Sequence, residues 1–331
     1  MSNHQALTEE PLQFGEGGRL FGILTRPDET SVDPGKLPVF VFLSAGLLHR
    51  VGPHRLHVRL ARELAGMGFC SLRVDLAGNG DSVPRPGLTN QQSVAADYAA
   101  IVDVLESHLG SVTIVLAGLC SGADNAIRLA LADPRVVGMV LLDPVCDPDD
   151  GFRARAVGFG MRAFARKCMT PARYMQWVRR RIKALTGETR HLENPVDYVA
   201  LRDLPTRDQM RAAFTSIGER RGRVLTVFTG YALPYCNQRG QMGRVLNVES
   251  YRQFCTELFW PHAEHTYTLE LHRRRLIEEI RNWASAYLHP GMSTSLAGRP
   301  ADAPQKGDGS RDHSSAARDS NGVRQQLAPG R

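Results

Sequence analysis

The stretch Gly118-Leu119-Cys120-Ser121-Gly122 sets a sulfur nucleophile between two glycines. Before it, Val112 to Ala117 is apolar, partly β-branched and uncharged, which predicts a buried strand. After it, Ala126, Ile127, Ala130 and Leu131 recur at helical spacing. Strand, tight turn and helix around G-x-C-x-G have the shape of a nucleophile elbow with cysteine at its centre. The flanking glycines let backbones approach where larger side chains would clash, and the central residue is lifted above the sheet edge. There it meets a helix N-terminus, whose dipole favours a thiolate. The chemistry this predicts is attack by Cys120 on a carbonyl carbon, with the Ser121 backbone N–H facing the oxyanion that forms. The Ser121 hydroxyl is offset by one residue and points elsewhere.

The other cysteines, Cys70, Cys146, Cys168, Cys236 and Cys255, are scattered and form no C-x-x-C pair. That pattern points to neither a zinc site nor a disulfide framework, so no metal and no cofactor is expected. Reduced thiols fit a cytoplasmic protein. Residues Met1 to Gln13 are polar, include Glu9 and Glu10, and lack the basic-then-apolar form of a signal peptide. No apolar run reaches membrane-spanning length.

The elements around the elbow follow from periodicity. Two apolar stretches flank Gly15-Glu16-Gly17-Gly18 and predict a hairpin over Leu12 to Arg26. Strands are expected at Pro38–Leu43, Cys70–Val74, Val136–Leu142 and Val224–Phe228, with helices over about Pro53–Met67 and Gln91–Leu109. This alternation implies a mostly parallel sheet flanked by helices, with right-handed crossovers. The rhythm breaks after Asp143. Residues 145 to 222 show helical patterns, notably over Pro171 to Leu185, and are expected to form a helical lid. A last strand ending at Leu258-Phe259-Trp260 precedes an amphipathic helix over about Leu269 to Leu288. Residues 1–290 thus read as one domain, and 291–331, poor in large apolar side chains, as a disordered tail.

Three ordered signals together resemble the α/β-hydrolase superfamily over roughly residues 10 to 288. They are the elbow, the turn Asp75-Leu76-Ala77-Gly78-Asn79-Gly80-Asp81-Ser82 (D-x-x-G-x-G-x-S), and Ala263-Glu264-His265-Thr266 after the last strand. The cysteine elbow is similar to that of dienelactone-hydrolase-like enzymes. The run Gly118 to Ala123 also resembles hydrolases associated with exosortase and exopolysaccharide systems, which tend to carry an acidic residue where Ser121 stands. The resemblance implies an α/β-hydrolase fold and a Cys120 nucleophile. It makes His265 the general base, with His262 as competitor. It also implies an oxyanion hole from the backbone amides of Ser121 and Leu47, the latter by matching Ala45-Gly46 to the family's His-Gly. The family usually places an acid just after the strand that here is Val224–Phe228, but Thr229-Gly230-Tyr231 follows and carries no carboxylate. Some members use the end of the preceding strand, here Asp143. That residue has two readings, orienting His265 or capping the Asp143-Pro144 turn, and a Cys–His dyad would need neither.

Formal net charge is +7 with pI about 9.3. Residues 151–190 carry eleven arginines and lysines, among them Arg153, Arg155 and Lys167, against Glu188 alone. A solvated helical face explains this run; recruitment of an anionic small-molecule or carrier-linked acyl substrate, or contact with a membrane surface, are the sharper readings. No nucleic-acid reading motif accompanies the charge. His49 and Arg50 have two readings, lining the entrance to the site or facing solvent as loop residues, the second favoured for each. Ester or thioester hydrolysis is the expected activity; acyl transfer through the same acyl-enzyme, or a binding protein on the same fold, are the alternatives.

Overall fold

The computed structural model describes residues 7–27, 37–158 and 203–288. Eight strands form one sheet: β1 (Leu7–Phe14), β2 (Leu20–Pro27), β3 (Val39–Leu43), β4 (Ser71–Asp75), β5 (Ile114–Leu119), β6 (Val136–Leu142), β7 (Arg223–Thr229) and β8 (Cys255–Trp260). Their order is β1-β2-β4-β3-β5-β6-β7-β8. The hairpin β1–β2 and the β2–β4 pair are antiparallel; every pair from β4 onward is parallel.

Every residue of β3, β4 and β5 is buried, because helices cover both faces. Alternation then divides each apolar run between two cores. Val39, Val41 and Leu43 pack with α2 (Asn90–Leu109), α3 (Ser121–Ala132) and α4 (Arg207–Glu219), through Ile101, Leu105, Ile127 and Phe214. Phe40 and Phe42 point the other way, onto α1 (Leu56–Ala65) and α7 (Glu270–Leu288), through Leu60, Leu64, Ile280 and Trp283. Truncating a ring such as Phe40, fully buried, to alanine costs about 3–5 kcal/mol. Two helix starts are fixed locally by reciprocal capping boxes, Thr89 with Gln92 in α2 and Thr206 with Gln209 in α4.

Element boundaries match the periodicity within a few residues; α5 (Gln241–Leu246) is a short helix the periodicity did not signal, while the helix expected near Ser250 to Cys255 is present as α6 (Tyr251–Phe254). Within the span 145–222 expected to form a helical lid, α4 buries Met210, Ala213, Phe214 and Ile217 and packs beside α3 as the crossover between β6 and β7. Its apolar spacing is that of a sheet-flanking helix. Residues 159–202, with the helix expected over Pro171 to Leu185, and the tail at 291–331 lie outside the described residues.

Candidate active site

The parallel strands all deliver their carboxyl ends to one edge of the sheet, and the site is built there. β5 ends at Leu119, and Cys120 turns the chain into α3 with φ 56° and ψ −121°. A non-glycine residue in such a conformation costs roughly 1–3 kcal/mol and persists only where the surroundings over-determine it. Here they do. The Cys120 N–H donates to the Leu142 carbonyl at 2.8 Å, and the Cys120 carbonyl accepts from Ala123 N–H at 2.9 Å and Asp124 N–H at 3.1 Å. A Cβ on Gly118 would lie 2.2 Å from the Gly122 carbonyl carbon, and one on Gly122 would lie 2.9 Å from the Leu43 oxygen. Both flanks must therefore be glycine. Cys120 is half-buried, whereas Cys70, Cys146, Cys236 and Cys255 are buried.

Asp143 lies one strand over, at the end of β6, with φ 47° and no solvent exposure. Its Oδ2 is 2.8 Å from His265 Nδ1. The Thr229 N–H donates to Oδ1 at 2.6 Å and the Thr229 hydroxyl donates to Oδ2 at 2.7 Å. Of the two sequence readings for Asp143, its carboxylate geometry thus favours contact with the histidine. Cys120 is the other group that acts on the ring and favours its charged form. With Nδ1 committed to Asp143, Nε2 is the nitrogen left for the sulfur. The Tyr231 ring stacks on the imidazole, centroids 3.9 Å apart and planes 25° apart. Burial by itself lowers the His265 pKa, but the hydrogen bond to Asp143, the interaction with Cys120 and the fields of both outweigh it and raise it to about 9. The ring is an imidazolium at neutral pH. His262, the competitor, is exposed on the same loop.

The loop after β3 reaches the elbow from the other side. The Gly46 N–H donates to the Ser121 hydroxyl at 2.7 Å, and Leu48 N–H closes a turn on the Ala45 carbonyl at 2.8 Å. Ser121 opens α3, so its own N–H precedes the first intrahelical bonds and is among the donors a helix start leaves for a ligand. The Leu47 side chain is 92% exposed. The amide bonded to the elbow helix is that of Gly46, one residue before the donor taken from the resemblance.

Arg50 corrects a sequence expectation. Read as solvent-facing, its side chain is only 12% exposed and its guanidinium bonds the buried Asp75, with a second contact to Asp81 at 2.7 Å. The Arg50 N–H also reaches Asp75 Oδ1, and Asp81 N–H donates to Asp75 Oδ2 at 3.2 Å. This explains the D-x-x-G-x-G-x-S turn. A Cβ on Gly80 would fall 2.2 Å from Asp75 Oδ2, and the Ser82 hydroxyl donates to the Asp75 carbonyl at 2.7 Å. The motif is a socket for Arg50 that holds the β3–α1 loop. From beneath, the fully buried His57 bonds the Arg50 backbone. His49, Asp75 and Asp81 lie close enough together to suggest a cation site, but the cation there is the Arg50 guanidinium. Of the basic run, Arg155 is tied to Asp149 and to Asn237 Oδ1 at 2.8 Å; Arg162 to Arg190 lie outside the described residues.

The residues sequence reasoning missed are Thr229, Tyr231, Gly46 and Arg50. Their signal was positional only: each stands at a strand end, in a loop whose partners come from distant chain.

Residues 46–210 match the family model described as Serine aminopeptidase, S33, a span that contains the elbow and stops before His265. No curated protein matches the chain. Among solved structures, dienelactone hydrolase from Anabaena variabilis superposes with a TM-score of 0.50 at 15% identity, covering 86% of this chain and 100% of that one. Carboxyl esterase 2 from the mycorrhizal fungus Tuber melanosporum gives 0.50 at 17% identity, covering 87% of this chain and 88% of that one. At such identities the likeness is one of fold. Its strand order, its glycine-flanked elbow and these matches together show that the chain has the α/β-hydrolase fold.

Proposed function

We propose that the protein cleaves an ester or thioester through an acyl-enzyme on Cys120. The observation that carries this reading is that His265, hydrogen-bonded to the buried Asp143, interacts with Cys120 on the strained elbow. In the first half-reaction the sulfur attacks the acyl carbon, a C–S bond forms, and the carbonyl electron pair moves onto oxygen. The oxyanion sits against the start of α3, with the Ser121 N–H as one donor and an amide of the Gly46–Leu47 turn as the other. Collapse restores the carbonyl and breaks the bond to the leaving group, which takes its proton from the His265 imidazolium. Water then attacks the acyl-enzyme and gives its proton to His265. The second collapse expels the sulfur and frees the acid. Asp143 fixes the ring so that Nε2 faces the sulfur, and offsets the imidazolium charge.

Cysteine in place of serine suits a histidine that is charged at neutral pH. A serine hydroxyl needs a neutral base, whereas a thiolate and an imidazolium function as a pair. The matched family is described as a serine aminopeptidase, and Cys120 is this chain's departure from that description. The esterase and dienelactone hydrolase names of the structural neighbours support a carbonyl bonded to oxygen as the substrate group.

The test uses p-nitrophenyl esters and acyl thioesters. The wild-type chain should turn over at least one class and yield an acyl adduct mapped to Cys120. Cys120→Ala should lose roughly 10³-fold or more in kcat/KM. Full activity in that variant would remove Cys120 from the mechanism.

A further inference from the structure

We propose that Tyr231 is a positioning residue, which holds the His265 imidazole in the plane joining Cys120 to Asp143 by stacking on its face. This rests on the reading above, in which His265 serves Cys120.

The hydrogen bond from Nδ1 to Asp143 defines where that imidazole edge points. It resists tilting of the ring out of that plane only weakly, because hydrogen-bond angles are broad. His265 sits in a loop after β8, so no regular backbone ladder steadies it either. The Tyr231 ring supplies the missing restraint, lying 3.9 Å from the imidazole centroid at 25°. Such contact blocks tilt toward Tyr231 and adds attraction, since an aromatic face is electron-rich and the imidazole opposite is a cation at neutral pH.

Tyr231 is itself fixed. Its N–H donates to the Thr229 hydroxyl oxygen at 3.3 Å, and its ring meets Tyr235 edge-on at 6.4 Å. The same Thr229 hydroxyl donates to Asp143. One three-residue segment at the end of β7 therefore grips both groups: Thr229 the carboxylate, Tyr231 the imidazole. The groups facing His265 are Asp143 just after β6, Cys120 from the elbow and Tyr231 from the turn after β7. On its own loop, Tyr267 is buried facing Asp143, and Glu264 is engaged with His272 at 2.8 Å. Tyr231 is the group among these that lies on the ring face.

The test compares Tyr231→Phe with Tyr231→Leu in the full chain. Leucine keeps apolar cover but loses the aromatic face; phenylalanine keeps the face and loses the hydroxyl. His265 is titrated by NMR of its ring carbon, and kcat and KM are measured on the substrate found above. In Tyr231→Leu the His265 midpoint should fall by about 0.5–1 pH unit, and kcat by roughly tenfold with KM little changed. Tyr231→Phe should match wild type in both. A wild-type midpoint in Tyr231→Leu, or an equal fall in both variants, overturns the proposal. If Tyr231→Leu does not fold, Tyr231→Met carries the same readout. The titration needs no substrate, so it still decides the role of Tyr231 if Cys120→Ala proves fully active and the hydrolytic reading fails.

Discussion

Cys120 and Cys146 follow neighbouring strands, yet their surroundings oppose each other. Cys120 stands half-exposed on a strained turn, beside a histidine whose pKa it helps raise to about 9. Cys146 lies three residues past Asp143, buried and in contact with Cys236, and that contact followed by burial pushes its thiol well above the usual range. Cys255, buried as the first residue of β8, is likewise pushed up, chiefly by burial. The same side chain is thus prepared for chemistry in one place and kept inert in another. The difference comes from backbone geometry at the strand end and from a neighbouring cation, not from residue type.

The strongest way to break this contrast is to remove the carboxylate that holds the cation. Asp143→Asn should cut kcat by roughly 10³-fold, because the amide no longer offsets the imidazolium and no longer selects its tautomer. The same variant should bring the His265 titration down from about 9. A variant with wild-type kcat and an unchanged midpoint would assign Asp143 to the turn alone.

Thiol alkylation sharpens the contrast directly. Iodoacetamide on the folded chain should modify Cys120 roughly a hundredfold faster than Cys146, Cys236 or Cys255, and peptide mapping reads the ratio. Equal rates would mean that the buried thiols open as readily as the elbow.

His57 tests the floor beneath the site. Burial holds its pKa down at about 4 against an ordinary 6.5, and only the bond to the Arg50 backbone opposes that. The ring is therefore neutral in the folded protein, while the unfolded chain takes up a proton below about pH 6.5. Stability is present above that value and is lost as pH falls toward 4. Between pH 7 and pH 5 the loss should be about 2 kcal/mol, roughly a 30-fold change in the folding equilibrium. Urea titrations at both pH values would show it, with a flatter dependence in His57→Gln. His265 has the opposite sign: its raised pKa stabilises the fold fully below about 6.5 and ceases to as pH rises through 9.

The smallest effect belongs to the Asp143 holder. Thr229→Val removes the hydroxyl bond to the carboxylate and keeps the backbone one. It should lower kcat about tenfold, in line with a hydrogen bond to a charged group worth about 1.5–3 kcal/mol. Wild-type turnover would show that the backbone donor suffices.

The fold was legible because parallel strands covered on both faces are written as apolar runs, and the elbow because only glycine permits the approaches at 118 and 122. The socket at Asp75 to Ser82 was legible as a pattern but not as a partner for Arg50, since the pairing joins loops 25 residues apart. The role of α4 was not legible in the sequence, because an amphipathic helix has the same period whether it covers a sheet or a cleft.

By itself, the sequence determined a strand–turn–helix that exposes one sulfur, and a histidine after the last strand able to serve it. It left Asp143 with two readings. Only the tertiary structure places its carboxylate against the histidine, because that direction depends on Thr229, 86 residues away, and on a histidine 122 residues away. Periodicity reports which face of an element is buried; it carries no information on which strand end will lie beside which.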